Sequence, residues 1–131
     1  MASHPPSAAA PLVSVVLCTF NRSQLLGGAV EALLRQDPET PAYEVIVVDN
    51  NSTDATRDVI EGFLPGGRVR YQFESRQGLS VARNRGIEIA RGDIIAFTDD
   101  DVRVRPAWVR SIVQAFAEHQ DVDMIGGKVQ P

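Results

Sequence analysis

A single cysteine, Cys18, stands in the 131 residues, which excludes a disulfide framework and a thiolate metal cage. It lies inside an apolar run, so a buried thiol is its default reading. No stretch reaches the length of a transmembrane helix, and the segment from Met1 to Pro11 lacks the basic flank and apolar core of a signal peptide. A cytoplasmic location is the default expectation, and for a longer protein peripheral association at the inner face of a membrane stays open. Positive charge is not in excess: 13 Lys and Arg face 17 Asp and Glu, and the net charge of −4 gives no support for a nucleic-acid partner. Histidine is scarce, and neither His4, in the tail, nor His119, at the end of a predicted helix, suggests a catalytic base. Gly-x-Gly-x-x-Gly after a strand and the Walker phosphate loop are both missing, so neither a nicotinamide fold nor a phosphate-loop hydrolase is indicated.

What remains is one domain's length of ordinary globular composition, 44% hydrophobic and 23% charged. Residues 1–11, rich in Pro, Ala and Ser, read as a disordered leader, and residues 12–131 as the folded part. Short apolar runs at Val13–Thr19, Tyr43–Val48, Val69–Phe73 and Ile94–Thr98 read as strands. Between them lie helical patterns: Leu26, Val30, Leu33 and Leu34, with Asn21 or Ser23 as cap; Val59, Ile60, Phe63 and Leu64; Leu79 to Ala90; and a fourth starting near Pro106. Met124-Ile125 begins a fifth strand that looks cut off in mid-course, so a fragment is expected. Strand and helix alternate with crossover-length connections, which predicts an α/β fold with a mostly parallel sheet and helices on both faces.

In such a sheet the carboxyl ends of the strands share one rim, where ligands bind. Three polar clusters should meet there: Thr19 to Arg22, Asp49 to Asp54, and the triplet Asp99-Asp100-Asp101. Each alone reads equally well as turn and cap chemistry. Together they point to a ligand. Alternation along an extended chain puts Asp99 and Asp101 on one side and Asp100 on the other. Two carboxylates about 6 Å apart repel by roughly 3 kcal/mol at an effective dielectric near 20, so a cation is expected between them. A hard divalent ion carrying phosphates suits that site. Asp49 or Asn50 can hydrogen-bond a base or ribose, Phe20 can lie against a base or in the core, and Arg83 can reach a diphosphate or simply be solvated.

The segments Val15 to Arg22, Val47 to Asp54, Gly78 to Gly86 and Phe97 to Asp101 resemble, in order and spacing, the family 2 glycosyltransferases of GT-A fold, across nearly everything from Val13 to Pro131. The resemblance implies a nucleotide-diphosphate sugar donor, a divalent metal (Mn²⁺ or Mg²⁺) held through the Asp-x-Asp motif, and an acceptor hydroxyl of unknown identity on a glycan, lipid or small molecule. By position it makes Asp101 the principal metal ligand, Asp99 its companion and Asp100 a contact to the donor's ribose or sugar. Thr19, Phe20 and Arg22 match the first nucleotide loop, Asp49 and Asn50 the base-binding pair, and Arg83 the arginine of the donor phosphates. Cys18 stands where proline is frequent, and Asn50 replaces a common second aspartate. Inverting members take the acceptor proton with a base in the following half of the domain, expected here beyond Pro131. A non-catalytic nucleotide-binding module and a sugar nucleotidyltransferase are the alternatives. The second should carry a Gly-rich basic loop after the first strand, and Cys18-Thr19-Phe20-Asn21 is not that.

Overall fold

Two strands rich in valine form the centre of the sheet. In the computed structural model, which describes residues 10–119, β1 (Val13–Thr19) lies beside β2 (Tyr43–Asp49), and every residue of β2 is buried. β3 (Val69–Phe73) flanks β2, β4 (Ile94–Asp99) flanks β1, and the order β3-β2-β1-β4 is parallel throughout. Strands buried on both faces read as unbroken apolar runs, which is why the sequence showed runs here rather than alternation.

Alternate side chains enter two cores. Val13, Val15, Leu17, Val45 and Val47 pack with Leu26 and Val30 of α1 (Ser23–Leu34), Ile60 of α2 (Thr56–Glu61) and Val109 of α4 (Trp108–Glu118). Val16, Ile46 and Val48 face the other way, against Ala82 of α3 (Leu79–Ile89). Helices therefore cover both faces, as expected. Gly86 lets α3 approach closely, because a Cβ there would run into the Val16 side chain. Among the described residues no helix is long and apolar enough to cross a membrane.

The second helix is shorter than its apolar spacing suggests. It stops at Glu61, and Leu64–Gly66 forms a 3₁₀ turn, although Phe63 and Leu64 still pack on the core. Pro65 has no N–H to continue an α-helical ladder. The fourth helix is regular from Trp108, with Pro106 in the preceding turn, where its carbonyl accepts the Asp37 N–H. The fifth strand, and the leader up to residue 9, lie outside the described residues.

At the amino end of the sheet, two buried polar side chains tie the α3–β4 turn down. Glu44 accepts from the Ser14 hydroxyl (2.6 Å), the Arg91 N–H (2.8 Å) and the Arg70 guanidinium (2.7 Å), and the Gly92 N–H donates to Ser14 (2.8 Å). Burial alone would raise the Glu44 carboxyl, but these donors outweigh it and hold it below the usual value. At the other end the register pairs Thr19 with Asp49 and Cys18 with Asp99, so all three polar clusters reach a common rim.

Candidate functional site

The loops that leave β1 and β2 are sewn together. Asn21 adopts a left-handed φ of 50°, its N–H donates to the Ser52 hydroxyl (2.9 Å), and its side-chain oxygen accepts the Thr53 N–H (2.8 Å). Asp54 accepts from the Ser23 N–H (3.1 Å), from the Thr56 N–H (3.0 Å) and from the Thr56 hydroxyl. One carboxylate thus serves the first residues of both α1 and α2, where helix N–H groups lack partners. The Thr56 hydroxyl above all, with the donors from Ser23, pulls its carboxyl down to about 2. The cap expected from Asn21 or Ser23 is corrected accordingly: Arg22 holds the N-cap position without a side-chain bond, and Asp54 supplies the acceptor from across the rim.

Asp49 and Asn50 hold the framework rather than face the solvent. Asp49 is buried and accepts from the Tyr71 hydroxyl (2.6 Å) and the Ser52 N–H (3.0 Å). Burial first, then that bond, pushes the Tyr71 hydroxyl well above its ordinary value. Asn50, 7% exposed, donates to the carbonyls of Glu74 (3.2 Å) and Arg76 (2.7 Å) and accepts the Gly78 N–H (3.0 Å). Both amide protons are thus engaged within the protein, although Asn50 also lines the cavity described below. An aspartate could not donate to those two carbonyls, which gives a physical reason for asparagine at this position. The loop it clamps ends at Gly78, whose φ of 137° is a conformation side-chain-bearing residues rarely adopt.

β4 ends at Asp99, and the Val102 N–H returns to the Asp99 carbonyl (3.2 Å), so Asp100 and Asp101 lie in a turn. Strand alternation therefore does not extend through the triplet, and the expected sidedness is corrected. Asp100, 5% exposed, accepts from the Thr19 hydroxyl (2.8 Å) and from Arg22 (3.4 Å), while the same Arg22 nitrogen lies 3.6 Å from Asp101. Burial pushes the Asp100 carboxyl above its usual value; Thr19 and Arg22 oppose the shift, and the neighbouring Asp101 and Asp99 add to it.

Above these groups opens a cavity of about 530 Å³. Its acidic floor is Asp99, Asp100 and Asp101, with Thr19, Arg22 and Asn50 beside it and Cys18 and Ala82 at its base. Phe20, 46% exposed, and Leu79, 53% exposed, give it apolar walls, so Phe20 is no core aromatic. Burial pushes the Cys18 thiol up to about 11, which keeps it protonated near neutral pH. Two expected site residues are not in the lining. Asp49 is held by Tyr71 and Ser52, and Arg83 places its guanidinium 5.6 Å from the centre of the exposed Phe97 ring, with its charge still acting on Cys18 of the lining. Gln77, Gly78 and Leu79 line the cavity without having been singled out as site residues; the glycine that opens α3 was the available signal. Among the described residues no three His, Cys, Asp or Glu side chains form a complete metal cage.

A family model described as glycosyl transferase family 2 matches residues 14–130. Validoxylamine A glucosyltransferase of Streptomyces hygroscopicus subsp. jinggangensis (strain 5008) is 39% identical over 109 residues, 82% of this chain and 26% of that protein. Glucosyl-dolichyl phosphate glucuronosyltransferase of Haloferax volcanii is 33% identical over 121 residues, 91% of this chain and 38% of the relative. The chain thus spans well under half the length of these curated relatives. Among solved structures, the mannosyltransferase PcManGT from Pyrobaculum calidifontis, in complex with GDP-Man and Mn²⁺, aligns with a TM-score of 0.74 at 26% identity, over 87% of this chain and 34% of that one. TarS 1-349 of S. aureus aligns at 0.75 and 24% identity, over 82% and 33%, a likeness of fold.

Proposed function

This chain belongs to glycosyl transferase family 2, and from that premise we propose that its rim cavity binds the nucleoside diphosphate of a sugar donor together with Mn²⁺ or Mg²⁺, for inverting transfer to an acceptor hydroxyl. The observation that carries the proposal is the acidic floor of Asp99, Asp100 and Asp101 under a cavity of about 530 Å³ walled by exposed Phe20 and Leu79. That volume suits a small-molecule ligand. PcManGT, in complex with GDP-Man and Mn²⁺, supports the same ligand class.

The donor set fits the metal. Every side-chain donor in the triplet is a hard carboxylate oxygen, the kind of ligand that Mn²⁺ or Mg²⁺ takes together with waters and phosphate oxygens. Asp101 and Asp99 are assigned as its ligands from their place in the family's Asp-x-Asp motif, not from strand alternation. Held by these carboxylates, a divalent ion would supply positive charge against the diphosphate leaving group.

The chain's own residues do the rest. Thr19 donates to Asp100 and holds that carboxylate at the cavity; we assign it to the donor's ribose or sugar. Phe20 offers an aromatic face to the base. Asn50 fixes the backbone of the loop that carries Gln77 and Leu79. In single displacement the acceptor hydroxyl attacks the anomeric carbon as a general base removes its proton and the diphosphate leaves from the opposite face. The donor side is assigned to the rim residues named here, and that general base to none of them. Calorimetry with UDP, GDP and dTDP, each in Mn²⁺ and in chelator, tests the reading: at least one should bind, and only with metal. Equal affinity in chelator would sink it.

A further inference from the structure

We infer that Arg22 is the site's internal counter-ion, which a divalent cation must displace from Asp101 and which then turns to the donor's diphosphate; the inference rests on the donor-site reading above. One Arg22 nitrogen lies 3.4 Å from an Asp100 oxygen and 3.6 Å from an Asp101 oxygen. The guanidinium therefore sits against the carboxylate assigned to the metal. It is the only cationic side chain among the described residues lining the cavity, where three carboxylates sit together.

The pair is built to open. Both distances exceed that of a good charge-assisted hydrogen bond, and the Arg22 side chain is 53% exposed, so the contact is weakly held. The backbone on either side is fixed, because the Asn21 N–H is held by Ser52 and the Ser23 N–H by Asp54. Freedom is thus left to the side-chain torsions, and the guanidinium can leave Asp101 without the loop moving. A divalent ion at Asp101 would repel a guanidinium at the same oxygen, while an arriving diphosphate offers it planar, bidentate anionic partners. Arg22 therefore opposes binding of the ion alone and favours binding of the ion with nucleotide. The two ligands become cooperative through one side chain.

That arrangement predicts effects of opposite sign, which a merely structural arginine would not give. In Arg22→Gln, Mn²⁺ alone should bind roughly threefold to tenfold more tightly, by electron paramagnetic resonance or calorimetry. GDP or UDP in saturating Mn²⁺ should bind about tenfold more weakly. Arg22→Lys, which keeps the charge, should stay near the wild type for Mn²⁺ alone. Unchanged or weaker Mn²⁺ binding by Arg22→Gln would overturn the exchange while leaving the donor-site reading intact, provided the wild type binds a nucleotide with Mn²⁺. Failure of the wild type to bind any of GDP, UDP and dTDP with Mn²⁺ would overturn both.

Discussion

Replacing Asn50 with aspartate separates two roles for this position, since the substitution keeps the shape and changes only donors into acceptors. In the structure the Asn50 amide donates to the Glu74 and Arg76 carbonyls at 3.2 and 2.7 Å and accepts from Gly78 at 3.0 Å, all in a site 7% exposed. A carboxylate keeps the Gly78 bond and turns the other two contacts into oxygen facing oxygen. Losing two bonds of about 1 kcal/mol each and leaving the carbonyls without their donor adds up to about 3 kcal/mol of lost stability. For a domain of this size that lowers the melting temperature by roughly 10 °C. Nucleoside diphosphate affinity should fall as well, because Gln77 and Leu79 lose their fixed backbone. Lowering the pH toward 4 should recover part of the stability, since a protonated carboxyl can donate once. Thermal denaturation together with calorimetry reads both effects. Unchanged stability with tighter nucleotide binding would refute the clamp and return Asn50 to the base.

Three further outcomes follow from the same contacts. Glu44→Gln should lose about 2 kcal/mol at pH 7 in urea unfolding, because a mostly buried anion with three donors is replaced by an amide. The Glu44 carboxyl is held low when folded, so its contribution is full above its unfolded value near 4.5 and is lost as pH falls through the lower folded value; the gap between variant and wild type should close in acid. Asp54→Asn should make the stability profile shallower between about pH 4 and 2, where the wild type also loses what this carboxylate contributes, and should speed amide exchange at Ser23 and Thr56. Gly92→Ala should destabilise by about 1–3 kcal/mol, because the new methyl would meet Ser14 N, Val13 C and Leu12 O at 2.7–2.9 Å, and backbone cannot turn aside.

Strands, helices and the common rim were legible because they follow from short-range pattern: β1 and β2 are apolar runs, and parallel crossovers bring their ends together. Partner choice was not, because it is made across the fold. Asp54 caps α1 from 31 residues away, and Asn50 reaches carbonyls 24 and 26 residues on. A sequence shows that such residues are polar and where the chain places them, not whether a distant N–H or carbonyl will occupy them. Arg83 shows the same limit: its place one turn into α3 is legible, but its position over the exposed Phe97 ring, with its charge still acting on Cys18, is set by contacts across the fold. Alternation predicts an extended triplet, but the chain turns directly after Asp99, which places Asp100 and Asp101 under a single guanidinium.

The central claim is that the acidic rim holds a metal ion and a nucleoside diphosphate together. Crystals grown with GDP or UDP and Mn²⁺ test it most directly, through anomalous scattering at the manganese edge. The account predicts one ion against Asp101 and Asp99, the diphosphate on the same ion, the base against Phe20, and Arg22 withdrawn from Asp101. An ion or nucleotide bound elsewhere, with Arg22 still on the triplet, would contradict it.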